Sequence, residues 1–377
     1  MPNDFSPSVI PILRSKLDTI FKSKATVNPE LTIVPVAAPA VLMKQTATIE
    51  PLLAGSGQLC TGVKVWYNVA DVTSLPTLSG TPVAGNCDLT TGDGMSTQAQ
   101  DYDFNIFQKP AIKLNDKDCD NFSKFADRTA FLLAHKMSLM VQSFNQEVIN
   151  QLEANKSVAS AANLPDDVTI GGGGDYTITG SDFWKGEGAA DTLSILDQLA
   201  RVKGLPNNYY IISGKALRVP YDIAQDHAAN DNERSYALTF QKREIFYDED
   251  TLDSLITAEV IYLVDPNAIV SYFYSQYPEG GEEIGDKNNT INFSLPLQYF
   301  DMYQNANGEL KTLQFANNGV MQDVMIDVRY QKSCNSVDSK YGKPSLDHVW
   351  ELDMVGLFDL VPAVGDNTGI IRVDKAL

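Results

Sequence analysis

The sequence predicts an α+β chain. Three observations carry that reading: one long uninterrupted amphipathic helix, a short alternation of helices and strands after it, and β-rich segments on both sides of these. The chain has 377 residues, 44% of them hydrophobic and 20% charged. That is a globular composition, long enough to bury a sizeable core in one or two closely joined domains.

The helix is Phe125 to Asn155, the longest stretch free of Gly and Pro that keeps a helical period. Phe125, Leu133, Met137, Met140, Val141, Phe144, Val148 and Leu152 recur at helical steps and form one stripe. Arg128, His135, Gln142, Asn145, Gln146 and Glu153 stand off the stripe and read as the polar side. A helix of this length spans about 45 Å, a spine for a whole domain. Asp120 or Ser123 is placed to cap its start, and Asn155 to end it.

Ahead of the helix, residues 1 to 24 carry Arg14, Lys16, Lys22 and Lys24 against Asp4 and Asp18, a basic arm on an acidic protein. With Leu13, Leu17, Ile20 and Phe21 it reads either as a partner-binding arm or as a docking helix. Pro29, Pro35 and Pro39 then argue against a helix and for an extended strap. Ala47 to Leu114 reads as β and loop. Val63, Val65, Tyr67 and Val69 share one side of a strand, Thr73 to Gln100 is a long polar connection, and Phe104 to Leu114 runs extended toward the helix. Two strands joined by so long an excursion make a projecting β-arm that needs a partner surface or a small fold of its own.

Behind the helix, Ser157 to Gly188, with Gly171 to Gly174, reads as a linker. Its glycines lack the Gly-Lys-Ser/Thr or GxGxxG spacing of a phosphate loop. Asp191 to Lys203 is a helix with Leu193, Leu196, Leu199 and Ala200 inward, stopped by Gly204 and Pro206. Tyr209 to Ile212 is a buried strand, and Ser213 caps a helical stretch over Lys215 to Ala229 that Pro220 bends. Ile245 to Asp253 reads as an acidic surface loop, and Glu259 to Val264 as a strand whose Asp265-Pro266 opens a turn or helix. This alternation predicts one sheet flanked by helices. Tyr272–Tyr277 and Thr290–Leu295 then read as strands around a Gly/Glu-rich turn, and Asn307–Gly308 as a tight turn. Met325–Gln331 and His348–Val355 read as an antiparallel pair. One helix packed on such a ladder covers both apolar faces.

The net charge of −19 argues against whole-surface attraction to nucleic acid or anionic membrane. The first residues hold prolines where a secretory core would lie, and no apolar run reaches the roughly 18 residues of a membrane span. Cys60, Cys87, Cys119 and Cys334 lack metal-ligand spacing and read as reduced thiols. His135, His227 and His348 stand apart from any zinc-like partner. Asp101-x-Asp103-x-Asn105 begins like a calcium loop, but Ile106 and Ile112 occupy the positions that need Gly and Glu. There is no GxSxG elbow, and Gly214–Lys215 lacks the first glycine of a P-loop. The inventory favours no catalytic residue, cofactor or metal, although paired carboxylates for glycoside hydrolysis remain open among the 48 acidic residues.

The order of elements resembles the major capsid protein of tailed bacteriophages, the Hong Kong ninety-seven type fold that encapsulin shells share. Asn208–Leu217 is similar to that family's strand-then-helix passage in the axial domain, and Val260–Ile269 to its strand leading to an Asp-Pro-Asn-Ala turn. Met325–Tyr330 and Val349–Leu357 are similar to its late peripheral strands. The resemblance implies an N-terminal arm over 1–48, an extended β-loop over 49–114 and a spine helix over 115–158. An α/β axial domain over 159–270 and returning peripheral strands over 271–377 follow. It implies self-assembly into hexamers and pentamers of an icosahedral virion shell, formed in the bacterial host cytoplasm around double-stranded DNA that is enclosed without sequence-specific binding. Neighbouring capsomers, scaffold, portal and decoration proteins are the implied partners, and no membrane. On the loop, Trp66, Tyr67, Phe104, Phe107 and Pro110 are the expected subunit contacts, because large aromatics dominate such hot spots. Burial within the subunit is the other expectation for them. An encapsulin-like compartment, which the length of the N-terminal arm disfavours, and a monomeric carbohydrate-binding protein or hydrolase are the competing readings.

Overall fold

The computed structural model describes residues 12, 15–17, 37–54, 59–70, 95–115, 122–179, 191–217, 244–256, 259–276, 282–285, 290–301, 309–337, 344–361 and 367–375. The architecture is α+β, with one long helix between two sheets. The helix runs Phe122–Ala154. Leu133, Met137, Met140, Val141, Phe144, Val148 and Leu152 of the expected stripe are all buried. Each such side chain contributes roughly 1.5–3 kcal/mol on leaving water. The side chain of Phe125 and the capping position Asp120 lie outside the described residues.

The stripe packs on a seven-stranded antiparallel sheet whose longest member is Pro344–Leu360. Phe144 meets Phe358 and Phe273 edge-on, with centroids 6.0 and 5.6 Å apart. The long strand pairs with Met325–Val337 in the expected ladder, Asp327 opposite Asp353 and Tyr330 opposite Trp350. It also pairs with Ile269–Tyr274, Ala111–Asn115 and Ile106–Gln108. Thr290–Pro296 pairs with Glu282–Gly285 and Met325–Val337. The two strands expected around one turn, at 272 and 290, therefore take different neighbours.

The second sheet has six strands, in the order Val168–Ile170, Tyr176–Ile178, Ile370–Lys375, Val260–Val264, Tyr210–Ser213 and Ile245–Tyr247. All five residues of Val260–Val264 are buried, because both faces of the sheet are covered. Ile261 and Leu263 join the core under helix Asp191–Val202, with Leu193, Leu196, Leu199 and Ala200. Val260, Tyr262 and Val264 face the core of the long helix. The amides of Gly204 and Leu205 return to the carbonyls of Arg201 and Ala200 and end that helix where expected.

Several expectations are corrected. Ala37–Lys44 is a helix despite Pro39, which sits in the first turn, where no intrahelical bond is lost. Of the two readings of the basic segment, docking holds for the part described: Leu17 is buried in the main core and Lys16 pairs with Asp127 on the long helix. The stretch expected as a linker contains the hairpin Val168–Ile170/Tyr176–Ile178. The expected acidic loop is strand Ile245–Tyr247 followed by helix Glu249–Leu255, capped by a fully buried Asp248. Asn145, read as polar-face, is fully buried for the same reason: it binds Asp248. The last strand, Ile370–Lys375, joins the second sheet instead of staying with the returning strands of 271–377. The turn at Asn307–Gly308, His227, Cys87 and Cys119, the side chains of Cys60 and Cys334, and the stretch from 218 to 229 lie outside the described residues.

A charge network joins the end of the long helix to the second sheet. Arg372 bonds Glu153 (2.5 Å) and Asp374 (2.7 Å), and Lys156 bonds Glu153 (2.8 Å) and Asp175 (2.7 Å). The Tyr262 hydroxyl donates to the other Glu153 oxygen (2.5 Å).

Candidate interaction surface

A third sheet stands apart from these layers. Thr48–Ala54, Leu59–Ala70 and Met95–Asp103 form three antiparallel strands with Leu59–Ala70 in the middle. The expected strand is there, and Val63 and Val65 are fully buried, as its alternation requires. With Ile49 and Tyr102 they pack on Val270 and Leu357 of the seven-stranded sheet. The Tyr102 hydroxyl reaches the Leu360 carbonyl (2.8 Å), and burial with the nearby Asp359 charge raises its pKa.

Beyond Val65 this support ends. Trp66 is 41% exposed, and Thr97 to Gln100 are all exposed. Among the described residues, no second layer from the same subunit covers Trp66 or Thr97 to Gln100 in the outer half of the arm. Trp66 Nε1 donates to Glu50 (3.1 Å), and the Lys64 ammonium lies 5.8 Å from the Trp66 ring and 3.8 Å from Asp101. Exposed pairs of this kind contribute at most about 1 kcal/mol.

The five expected contact residues divide. Trp66 and Phe107 point outward, Phe107 with 68% of its surface exposed. Tyr67 is half-buried and donates to Gln98 (3.1 Å). Phe104 is half-buried and stacks on Tyr272 and Tyr274, with centroids 6.4 and 6.3 Å apart. Pro110 is half-buried and its carbonyl accepts from the Leu352 amide (2.9 Å). Phe107 and Pro110 belong with the seven-stranded sheet, not the arm.

A polar cleft of about 280 Å³ opens on the seven-stranded sheet, bounded by Lys109, Asp327, Arg329, Glu351 and Asp353. Both Asp327 oxygens are engaged, by the Ser275 hydroxyl (2.5 Å) and the Gln276 amide (2.9 Å). Burial raises the Asp353 carboxyl above its ordinary value. Lys109 opposes this, and the charges of Asp327 and Glu351 add to it. Among the described residues, no aromatic side chain lines the cleft to stack on a sugar ring. Among the described residues no group of three or more His, Cys, Asp or Glu is placed to hold a metal, and no helix is long and apolar enough to cross a membrane.

Sequence reasoning missed three residues at the arm's root: Gln45, Asn105 as anything but a failed calcium ligand, and Asn318. Only Asn318 carries a local signal, the Asn-Gly dipeptide of a two-residue hairpin turn.

No protein-family model matches the chain, and no curated protein matches it. Among solved structures it is similar to the cyanophage A-1(L) capsid asymmetric unit, at 12% identity over 92% of this chain and 94% of that one, TM-score 0.45. It is similar to the structure of Mycobacterium phage Adephagia, at 10% identity over 100% and 99%, TM-score 0.41. It is also similar to the capsid structure of cyanophage P-SCSP1u, at 11% identity over 89% and 87%, TM-score 0.40.

Proposed function

We propose that this chain is a major capsid protein. Copies assemble as hexamers and pentamers into an icosahedral virion shell around double-stranded DNA, and the chain is structural, not catalytic. One observation carries the reading. The arm's outer half is a formed sheet with Thr97 to Gln100 in solvent and Trp66 standing clear. A sheet needs a second layer to bury its apolar side, and here a neighbouring copy supplies it. Trp66 and Phe107 are the proposed central contacts, with Tyr67 and Pro110 beside them and Phe104 as support beneath the arm. The order of elements in the sequence points the same way, and a net charge of −19 suits a wall that encloses DNA without gripping it. Scaffold, portal and decoration proteins are the further partners of this reading. The hydrolase reading gains little from the polar cleft, since Asp327 is occupied by its own backbone and side-chain neighbours.

Negative-stain microscopy with analytical sedimentation, across a salt series, tests this. Salt screens repulsion between acidic subunits, so assembly rises with ionic strength. Closed shells, or rings of five and six, are expected. A monomer or dimer at every salt and at high protein concentration overturns the proposal.

A further inference from the structure

Three side-chain amides surround the root of the arm, and each makes the same contact. Gln45 accepts from the Ser271 amide (2.5 Å) and donates to the Ser271 carbonyl (2.8 Å). Asn105 accepts from the Phe358 amide (3.0 Å) and donates to its carbonyl (2.8 Å). Asn318 accepts from the Ile49 amide (2.9 Å) and donates to its carbonyl (2.9 Å). A primary amide that gives to and takes from one residue does what a residue of an adjacent strand would do. Only Asn and Gln side chains carry donor and acceptor together in this form.

The placement matters. Gln45 precedes the first arm strand, Ile49 lies in it, and Asn105 follows the third. The collar therefore holds the arm where it leaves the body and where it returns. The partners belong to packed sheet elements. Ser271 and Phe358 are in the seven-stranded sheet. Asn318 closes the hairpin Gln314–Asn317/Val320–Asp323, whose Phe315 packs on Tyr272 and Phe273 at 5.8 and 5.5 Å.

Asn318 does more than its turn requires. Asn317 pairs with Val320, so the turn is Asn318–Gly319, with φ of 50° and 79°. Glycine meets both positive angles without strain, and aspartate tolerates the first. Neither offers the amide that serves both backbone groups of Ile49. Thr48–Ala54 is the outer strand of the arm, so Asn318 sits where a fourth strand would.

We propose that the collar of Gln45, Asn105 and Asn318 sets the direction in which the arm leaves the body, with Asn318 as the positioning residue on its outer edge. The consequence for assembly rests on the capsid reading: an arm that reaches a neighbouring copy fixes the angle between copies through its own direction.

The test is made on the unassembled chain at low salt. Spin labels on ketone-bearing residues at Gln98 and Val202, both exposed, leave the native cysteines alone. Pulsed dipolar spectroscopy then reads the arm-to-body distance. The parent chain gives one narrow distribution. Asn318→Gly, which keeps the turn, at least doubles its width while far-ultraviolet circular dichroism is unchanged. Asn105→Asp does the same and serves if the first variant does not fold. A broad parent distribution, or an unchanged one in the variants, overturns the collar. A chain that never assembles yet shows the widening sinks the capsid reading alone.

Discussion

Asn145 Nδ2 donates to Asp248 Oδ2 across 2.8 Å, and both residues are fully buried. The same nitrogen reaches the Thr251 hydroxyl (2.7 Å), and Asn145 Oδ1 accepts from the Ala38 amide (2.8 Å). Asp248 Oδ1 in turn accepts from the Thr251 amide (3.0 Å). One side chain thus ties the starts of two helices to the middle of a third. Asn145→Leu strands the buried Ala38 amide and removes the amide donor from Asp248, and costs about 3 kcal/mol. Asn145→Asp keeps the acceptor for Ala38 but sets a carboxylate against a carboxylate. Like charges raise the pair's titration, so this variant recovers stability as pH falls toward 5. Urea melts at pH 7 and pH 5 check both. Equal loss at the two pH values in the aspartate variant would sink the account.

Arg372 is the centre of a second, half-buried network. Its side chain is 11% exposed and faces Glu153, Asp175 and Asp374. Arg372→Met leaves three carboxylates with Lys156 as their nearby cation. Breaking such a group from one side costs about 3 kcal/mol. Lys375→Met, at the more open pair with Glu259, costs under about 1 kcal/mol. Chemical denaturation of both variants compares them. Similar losses would mean the network contributes no more than a surface pair.

Burial alone would raise the Glu153 carboxyl, but hydrogen bonds from Lys156 and Tyr262 and the charges of Arg372 and Lys156 outweigh it and hold it below its ordinary value of 4.5. The folded state therefore binds this proton more weakly than the unfolded chain. The stabilisation is present above the unfolded value and is lost as pH falls through the folded one. Unfolding free energy is expected to drop below about pH 4.5, and Glu153→Gln to flatten that slope. A slope unchanged in the glutamine variant, measured by denaturant titration from pH 7 to pH 3, would remove Glu153 from the acid response.

The parts legible in the sequence are those written in local period. The stripe from Leu133 to Leu152 and the ladder of Met325–Gln331 with His348–Val355 repeat at steps that one helix face or one strand face imposes. What was illegible depends on distant partners. Asn145 and Asp248 carry polar side chains on apparently polar stretches, and only their meeting, 103 residues apart, makes them core. Ile370–Lys375 reads as a tail strand, and nothing in its own residues says which sheet it joins. The collar is of the same kind: Asn105 and Asn318 find backbone partners 253 and 269 residues away. Pro39 misled for another reason, since its effect depends on its position in a helix whose start the sequence does not mark.

Gly62 lies at the root of the arm, opposite Asp103 and beside the bulge at Leu52–Leu53. A Cβ there would stand 2.2 Å from the Tyr102 carbonyl oxygen, a backbone atom that cannot rotate aside. Gly62→Ala must part the second and third strands. The lesion is local, so hydrogen exchange should speed up in the arm, over residues 62–67 and 97–103, and stay slow in Leu133 to Leu152 of the long helix. Uniformly faster exchange would show that the arm and the body unfold as one unit.

The aromatic set separates folding from assembly. Phe104 is packed against Tyr272 and Tyr274, so Phe104→Ala should destabilise the isolated subunit by about 1–3 kcal/mol. Trp66 and Phe107 are 41% and 68% exposed. Their removal takes little from the isolated subunit, within about 0.5 kcal/mol each. If a neighbour covers them, however, each truncation removes a central contact, and hot-spot losses of about 2 kcal/mol shift association more than tenfold. Thermal melts of the unassembled chain and the critical concentration for shell formation give the two axes. The expected pattern is crossed. Trp66→Ala and Phe107→Ala raise the critical concentration with an unchanged melt, while Phe104→Ala lowers the melt. If the outward pair leaves assembly untouched, these two side chains are not in the contact and the interface lies elsewhere on the subunit.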